Sequence, residues 1–239
     1  MSRHIGIVAC SAEGAALCYR TVCLEGAQYL GALDHPEVSM HTHSLAEYMR
    51  CIDRDDWAGV AQLMLSSAQK LARAGAGFLI CPDNTIHQAF RYLEGRSPLP
   101  WLHIAEVVAA EAVKRGFRKL GLTGTRWLVA SEVYPEKLAA RGLAWVRPDE
   151  ADRLECSRII MEELVNGRFT PEGVRTFQAV IGNLADAGCD AVVLGCTEIP
   201  LIISDENSAL PTLDSTRLLA RAALKRAVEA SDHPAVVAA

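Results

Sequence analysis

Two short polar segments of the chain carry side chains that can move protons. Residues 82–87 read PDNTIH and residues 195–200 read GCTEIP, and each segment follows an apolar run. Each contains an ionisable side chain, Asp83 or Cys196, beside small hydrogen-bonding side chains. Carboxylates and thiols serve as general acids and bases, whereas Asn84, Thr85 and Thr197 offer groups that bind carboxylates. We therefore expect proton exchange beside a bound carboxylate.

A long-range repeat relates the two segments. Three pairs of stretches match in the same order at offsets of 113, 115 and 111: residues 74–85 with 187–198, 5–9 with 120–124, and 99–102 with 210–213. The first pair aligns Asp83 with Cys196. Three ordered matches at nearly one offset indicate two similar lobes of about 110 residues each.

The elements that must position these segments are short apolar runs alternating with amphipathic stretches. The predicted strands are 4–10, 37–43, 77–82, 119–124, 142–146 and 190–195. The predicted helices are 12–31, 55–75, 104–115, 128–140, 149–166, 171–187 and 214–230, before a loose tail at 231–239. Short strands without alternation, separated by helices, indicate parallel sheets covered on both faces.

The fold class is therefore α/β, with two pseudo-symmetric Rossmann-like lobes and a cleft between them. We expect the first lobe to comprise residues 1–98 and 211–239, and the second lobe to comprise residues 99–210. Ligands of open α/β sheets bind at the carboxyl ends of the strands. The repeat thus sets Asp83 against Cys196 across one site, an arrangement suited to cofactor-free racemisation or epimerisation.

Four motifs of the chain carry a resemblance that covers residues 5 to about 224. These motifs are GCTEIP at 195–200, NTIH at 84–87, GLTGT at 121–125, and RIIMEEL at 158–164 followed by Gly167. On these motifs the chain resembles the aspartate/glutamate racemase superfamily. The resemblance implies a racemase that uses two cysteines, without pyridoxal phosphate, metal or another cofactor. It carries the second cysteine onto Cys196, whereas Asp83 stands in place of the first.

The resemblance also implies how the substrate is held. Ser11 and Thr125, together with the three side chains named above, would bind the carboxylate of a small acid or amino acid such as aspartate or glutamate. Relatives specific for aspartate place a lysine shortly before the position of Gly167, where this chain has Val165 and Asn166. Its role would pass to an arginine, for which the candidates are Arg50, Arg126 and Arg168.

Other functions stay open at this stage. Decarboxylases of the same superfamily lack the first cysteine, so Asp83 could orient substrate or water while Cys196 protonates one face. A small-acid sensor that kept the cleft but lost catalysis is a further alternative. His87 either orients the Asp83 loop or caps the turn that follows it.

The amino-acid composition argues against several other classes of protein. The 239 residues are 50% hydrophobic with a net charge of −5, which lacks the basic footprint of a nucleic-acid binder. Neither a membrane-spanning run nor an export signal is visible, so we expect a cytoplasmic protein, and the resemblance implies a homodimer. The eight cysteines include no CxxC pair, so we expect no metal site, and we interpret the seven cysteines other than Cys196 as packing residues.

Overall fold

The computed structural model describes residues 2–229, and the predicted tail at 231–239 lies outside them. Within these residues, eight strands form two four-stranded sheets in which all paired strands run parallel. The first sheet has the order β2-β1-β3-β4, formed by β1 (Ile5–Ala9), β2 (Val38–Thr42), β3 (Phe78–Ile80) and β4 (Trp101–Leu102). The second has the order β6-β5-β7-β8, formed by β5 (Lys119–Thr123), β6 (Ala144–Val146), β7 (Ala191–Leu194) and β8 (Thr212–Asp214).

Helices cover both faces of each sheet. In the first half they are α1 (Ala12–Glu25), α2 (Ala27–Leu30), α3 (Leu45–Ile52), α4 (Trp57–Arg73) and α5 (Ile104–Lys114). In the second half they are α6 (Arg126–Ala130), α7 (Val133–Ala139), α8 (Glu150–Glu162), α9 (Pro171–Asp186) and α10 (Ser215–Glu229). Three 3₁₀ helices span Thr85–Tyr92, Leu164–Asn166 and Ile199–Leu201.

Alternate residues of the strands supply the two faces of each core. In the first sheet Ile5 and Ile7 pack with α1 and α10, whereas Val8 packs on the other face with α3 and α4. In the second sheet Val192 packs with α8 and α9, and Val193 packs with α5 and α7. Because successive side chains of a strand point to opposite faces, a strand buried on both sides is apolar throughout. The α/β fold with two parallel-sheet lobes is confirmed.

Both copies of the repeat end their helix with the same device. Gly75 follows α4 with φ +94°, and Gly188 follows α9 with φ +81°. Glycine adopts this left-handed conformation without the steric penalty that other residues meet, so it stops a helix and turns the chain into the next strand. Those next strands, β3 and β7, are the ones that lead to Asp83 and Cys196.

Two edge strands lie close to the lobe boundaries expected at 98/99 and 210/211. Residues 101–102 pair with β3 in the first sheet, and residues 212–214 pair with β7 in the second. Leu79 N–H donates to Pro100 O and Val192 N–H donates to Pro211 O, both at 2.9 Å. Each Leu-Pro segment of the repeat therefore leads into the edge strand of its own sheet, and the chain changes lobe only after that strand.

Four elements differ from those predicted: one helix is additional, one predicted helix is divided in two, and two short strands are additional. The helix α3 begins with a capping box in which Ser44 and Glu47 bond each other's backbone. The predicted helix 128–140 is two helices, because the Ser131 hydroxyl bonds Leu128 O and the chain turns there. The strands β4 and β8 are two and three residues long, too short to show a pattern. From residue 2 to residue 229, no helix is long and apolar enough to cross a membrane.

Candidate active site

A cavity lies where the two lobes meet at the carboxyl ends of their strands. The seven side chains expected to form a site all line it: Ser11, Asp83, Asn84, Thr85, Thr125, Cys196 and Thr197. The first four belong to the loops after β1 and β3, and the others to the loops after β5 and β7. The structure thus brings the two halves of the repeat together at one point. The enclosed space is about 30 Å³, room for a water molecule but less than an amino acid occupies.

Asp83 presents a partly accessible carboxyl group to this cavity. Burial raises its pKa from 3.8 to about 6, and the negative charge of Glu198 adds to the rise. The N–H groups of Ile86 and Thr85 and the nearby thiol of Cys10 act in the opposite sense. Oδ1 of Asp83 accepts from Ile86 N–H at 3.1 Å. At neutral pH the group is ionised yet more basic than an ordinary aspartate.

Cys196 is buried and holds its proton. Burial raises the pKa of its thiol well above the ordinary value, and so do the charge and hydrogen bond of Glu198 and the charge of Asp83. The thiol donates to Glu198 Oε2 at 2.9 Å, and the Thr197 hydroxyl donates to the same oxygen at 3.2 Å. The cavity therefore combines an ionised carboxylate from one lobe with a protonated thiol from the other.

The remaining polar side chains hold the lobes together. The hydroxyls of Thr85 and Thr125 bond each other at 2.8 Å, and Thr125 also accepts from Leu128 N–H as the N-cap of α6. The Asn84 amide donates to Ser215 Oγ at 3.0 Å and accepts from Tyr134 OH at 2.7 Å. The Asn84 side chain thus forms hydrogen bonds mainly with protein groups, which leaves it few donors or acceptors for a ligand in the cavity.

Ser11 stands at the N-terminus of α1 with an unused hydroxyl. It occupies the N-cap position but makes no side-chain cap bond, and its Oγ has no hydrogen-bond partner among the described residues. The side chain is 6% exposed and lines the cavity. A helix N-terminus offers free N–H groups and positive partial charge, so this corner suits a carboxylate.

The N-terminal turn of α1 lies directly against the second lobe. A Cβ atom on Gly14 would stand 2.0 Å from Thr197 Oγ1, a distance that no real contact allows. Glycine at this position therefore lets the carboxylate corner approach the Cys196 loop. The sequence does not predict this role of Gly14, because nothing local to residues 11–14 reveals which segment packs on them.

His87 fixes the backbone of the Asp83 loop. Its Nε2 accepts from Ile104 N–H at 3.2 Å, so its Nδ1 carries the proton and donates to Asp83 O at 2.6 Å. Burial lowers the pKa of His87 well below the ordinary value, which keeps the ring neutral. Of the two open readings, the structure supports orientation of the Asp83 loop.

Apolar side chains form the rest of the cavity wall. They come from α3, α6, α8 and the turn after α8: Leu45, Met49, Ile52, Trp127, Ile160, Met161 and Val165. The lining includes no lysine, arginine or histidine. Of the three arginines proposed to bind a distal carboxylate, none lines the cavity, and Arg126 instead stacks over Trp127 at 4.4 Å. In this structure no arginine of the lining is thus placed to bind a distal carboxylate.

Two further ionisable residues, Cys10 and Glu198, also line the cavity although the motifs do not predict a role for them there. Cys10 packs in the first-lobe core, as expected, and also lies at the cavity wall near Asp83. Glu198 is 1% exposed, and its Oε1 has no hydrogen-bond partner among the described residues. Across residues 2–229, no three His, Cys, Asp or Glu side chains are grouped so as to hold a metal ion.

The fold and the cavity define a two-lobed α/β protein in which a carboxyl group of one lobe and a thiol of the other line one cavity between the lobes. A family model described as Asp/Glu/Hydantoin racemase matches residues 13–223, and the chain belongs to this family. The broad-specificity amino-acid racemase RacX of Bacillus subtilis (strain 168) is 23% identical over 193 residues, 79% of this chain and 81% of RacX.

Solved structures agree over nearly the whole chain. A Yersinia pestis protein proposed to be an Asp/Glu racemase is 30% identical, with a TM-score of 0.85 over 95% of this chain and 99% of that one. An aspartate racemase homologue from Pyrococcus horikoshii OT3 is 27% identical, with a TM-score of 0.80 over 94% of this chain and 99% of that one. The two-lobed architecture is thus shared with these relatives.

Proposed function

We propose that the chain is a cofactor-independent racemase or epimerase acting at the carbon alpha to a carboxylate. Asp83 works on one face of that carbon and Cys196 on the other. The observation that carries the proposal is that these two groups, one from each lobe, line the same cavity. Membership of the family and the name of the RacX relative support amino acids as the substrate class.

The proposed reaction consists of two proton transfers, one to Asp83 and one from Cys196. Asp83 takes the α-proton, so a C–H bond breaks, an O–H bond forms, and the electron pair moves into the substrate carboxylate as an enediolate. The Cys196 thiol then gives its proton to the opposite face and becomes a thiolate. The other enantiomer reacts by the reverse steps. The ionised Asp83 and the protonated Cys196 of the resting site are the starting states of the first direction, whereas the reverse direction starts from a protonated Asp83 and a Cys196 thiolate.

The carboxylate corner stabilises the negative charge that develops. The N–H groups at the start of α1 and the free Ser11 hydroxyl would bind one carboxylate oxygen. Thr85, Thr125 and Thr197 would bind the other by exchanging the bonds that they now make with protein groups. Donors that are already in place when charge develops lower the barrier without further reorganisation.

The walls favour a neutral, apolar side chain on the substrate. Of the acids expected from the sequence, aspartate and glutamate would bring a second carboxylate to a cavity that already holds Asp83 and Glu198 and has no cation in its lining. Burying an uncompensated charge there is costly. Met49 and Met161 are adaptable side chains that can move to admit an aliphatic or aromatic group.

Two expectations remain proposals, the first drawn from the sequence itself and the second from the resemblance. They are that the protein is cytoplasmic and that it forms a homodimer. Light scattering of the purified chain during size-exclusion chromatography tests the second, and a mass near one copy, 25.9 kDa, would contradict it.

Isotope exchange tests the reaction. Each enantiomer of a panel of amino acids is incubated in D₂O, with ¹H NMR for the α-proton and chiral chromatography for the product. We expect exchange with inversion, and losses of at least about 100-fold in Cys196→Ser and Asp83→Asn. Cys189→Ser, which removes a second-lobe thiol outside the cavity, serves as the matched control and keeps activity.

Three outcomes would contradict the proposal. Carbon dioxide released from substituted malonates, without α-exchange in any amino acid, would indicate the single-cysteine decarboxylase. Binding of acids without any exchange would indicate a sensor. Wild-type turnover in Asp83→Asn and Asp83→Ala would remove Asp83 from the mechanism.

A further inference from the structure

Each lobe brings one thiol and one carboxyl group to the cavity. In the second lobe they are Cys196 and Glu198, joined by the 2.9 Å hydrogen bond. In the first lobe they are Cys10 and Asp83, which both line the cavity. The proposed function uses only Cys196 and Asp83, so Cys10 is a buried nucleophilic group at the site without an assigned task.

Cys10 and Asp83 follow neighbouring strands of the first sheet. The strands β1 and β3 pair in parallel with Ile5 opposite Phe78 and Ile7 opposite Ile80. Cys10 directly follows β1 and Asp83 lies in the loop after β3, so the two residues leave neighbouring strands at the same edge of the sheet and line the same cavity. Neighbouring strands lie about 4.8 Å apart, which is within reach of two short side chains.

In the second lobe, the two positions that correspond to Cys10 and Asp83 also follow neighbouring strands, but they are occupied by a threonine and a cysteine. There Thr125 follows β5 and Cys196 follows β7, and these two strands pair as far as Thr123 and Leu194. Positions 10 and 125 correspond, as do positions 83 and 196. The thiol of the second lobe stands after β7, the third strand of its sheet, whereas the thiol of the first lobe stands after β1 and the carboxyl group after β3.

We infer that Cys10 is a positioning residue whose thiol acts as the hydrogen-bond partner of Asp83, keeping the carboxylate ionised and aimed into the cavity. This inference rests on the proposed function, in which Asp83 is the base. The thiol keeps its own proton throughout. When Asp83 takes the α-proton, the carboxyl group becomes neutral and the S–H bond of Cys10 stays intact.

The electrostatics agree with that assignment. Burial, and then the charge of Asp83, raise the pKa of Cys10 well above the ordinary value, so the thiol remains a donor. The Cys10 thiol in turn lowers the pKa of Asp83 against the effect of burial. A hydrogen bond to the charged form of an acid has this effect.

The other titratable groups around Asp83 do not offer this donor. Glu198 faces it from the second lobe and raises its pKa. The Cys196 thiol donates to Glu198, and the Cys81 thiol is directed at the backbone oxygen of Asp83 at 3.9 Å. Burial raises the pKa of Tyr48, on α3, far above the ordinary value, and Tyr48 does not line the cavity. Cys10 is thus the thiol placed to bond the Asp83 carboxylate from a neighbouring strand.

Substitution of Cys10 tests the inference through the pH profile of proton exchange. In Cys10→Ala we expect the acidic limb of kcat/KM to move upward by about half a pH unit or more, with a lower kcat. Cys10→Ser keeps a donor, so we expect its limb to return towards the wild-type position. Cys18→Ala removes a buried first-lobe thiol outside the cavity and leaves the profile unchanged.

Two results would overturn the inference. One is a Cys10→Ala profile that matches wild type, because Cys10 would then only fill space. The other is a Cys10→Ser variant as inactive as Cys10→Ala with no displaced limb, because the thiol itself would then carry the proton.

A direct titration keeps this test separate from the proposed function. ¹³C NMR of carboxyl-labelled aspartate reports the pKa of Asp83 without any substrate, and Asp83→Asn identifies its signal. A higher pKa in Cys10→Ala than in wild type supports the inference even if no amino acid is racemised. An unchanged pKa refutes it even if racemisation is found.

Discussion

The thiol of Cys196 donates a hydrogen bond to the carboxylate of Glu198, two residues further along the same buried loop. Because the carboxylate is buried, its charge acts strongly on its neighbour. In the resting site the thiol proton is therefore directed at Glu198, and under the proposed mechanism it must turn towards the substrate before Cys196 can donate it. Glu198 thereby controls how readily Cys196 changes its protonation state.

Replacing Glu198 by glutamine should make Cys196 more reactive. The charge of Glu198 raises the pKa of Cys196, so Glu198→Gln lowers it and increases the thiolate fraction. Alkylation of Cys196 by iodoacetamide at pH 8, followed by peptide mass spectrometry, should accelerate about 10-fold, since one pKa unit changes the thiolate fraction tenfold. Glu206→Gln, at an exposed second-lobe site, is the control. An unchanged or slower rate would show that the carboxylate does not restrain the thiol.

The rate in the direction that uses Asp83 as the base should rise with pH through about 6. Above that value the carboxylate is ionised and can accept the α-proton, and below it the group is protonated and inactive. The pKa of Cys196 lies well above that of a free thiol, so the acid remains protonated and the profile stays flat into the alkaline range. Profiles of kcat/KM measured separately for each enantiomer test this. An acidic limb near pH 4 would mean that burial does not perturb Asp83.

The same pKa shift makes Asp83 a source of instability. Its pKa rises from 3.8 to about 6 on folding, so the folded state binds the proton more tightly. The free energy of unfolding therefore falls as pH rises from about 4 to 6, and the full penalty persists above 6. Asp83→Asn removes it, with an expected gain of roughly 2–3 kcal/mol at pH 7.5, at 1.36 kcal/mol per pKa unit. Urea unfolding at pH 7.5 and pH 5 should show a smaller gain at pH 5, whereas a destabilised variant at pH 7.5 would contradict the argument.

The sequence predicts most of the fold because its determinants are local or repeated. Apolar strand runs and the glycines at 75 and 188 lie within short windows, and the offset between them identifies two lobes. The edge strands β4 and β8 are not predicted from the sequence, because a segment of two or three residues is too short to show a periodic pattern. What makes them strands is pairing with β3 and β7, which no local pattern records.

The candidate site divides in the same way. Asp83 and Cys196 stand in motifs and are found by alignment of the repeat. Cys10 and the wall residues of α3 are not found in this way, because their position at the cavity depends on which strands and helices become neighbours in the fold. A signal for Cys10 did exist, since its repeat partner Thr125 was itself assigned to the site.

Gly14→Ala should weaken the contact between the lobes. The added Cβ would stand 2.0 Å from Oγ1 and 2.5 Å from Cβ of Thr197, so the N-terminus of α1 must retreat from the Cys196 loop. We expect a loss of at least about 10-fold in kcat/KM, because a displaced carboxylate corner misaligns the α-carbon. Activity and thermal unfolding measure the effect.

A control variant and a rescue variant test whether the clash with Thr197 causes the effect of Gly14→Ala. Gly182→Ala also adds a methyl group to a helix, yet nothing lies within 4 Å of the new Cβ, so activity should persist. Thr197→Gly, combined with Gly14→Ala, removes the atoms that clash and should recover stability. Wild-type behaviour of Gly14→Ala alone would show that the lobes do not need this approach.

A lysine in the wall should change which substrates are accepted. Wild-type turnover is expected to favour leucine, methionine or phenylalanine over aspartate and glutamate, because the lining lacks a cation. Val165→Lys places an ammonium group beside Met161 at the far wall, where it can compensate a distal carboxylate and oppose an apolar side chain. The ratio of kcat/KM for glutamate to that for leucine should then rise at least about 10-fold, since specificity is a difference between two affinities. Val165→Met changes the size of the side chain without adding charge and should leave the ratio near the wild-type value. If the lysine variant and the methionine variant show the same ratio, charge at this wall does not select the substrate.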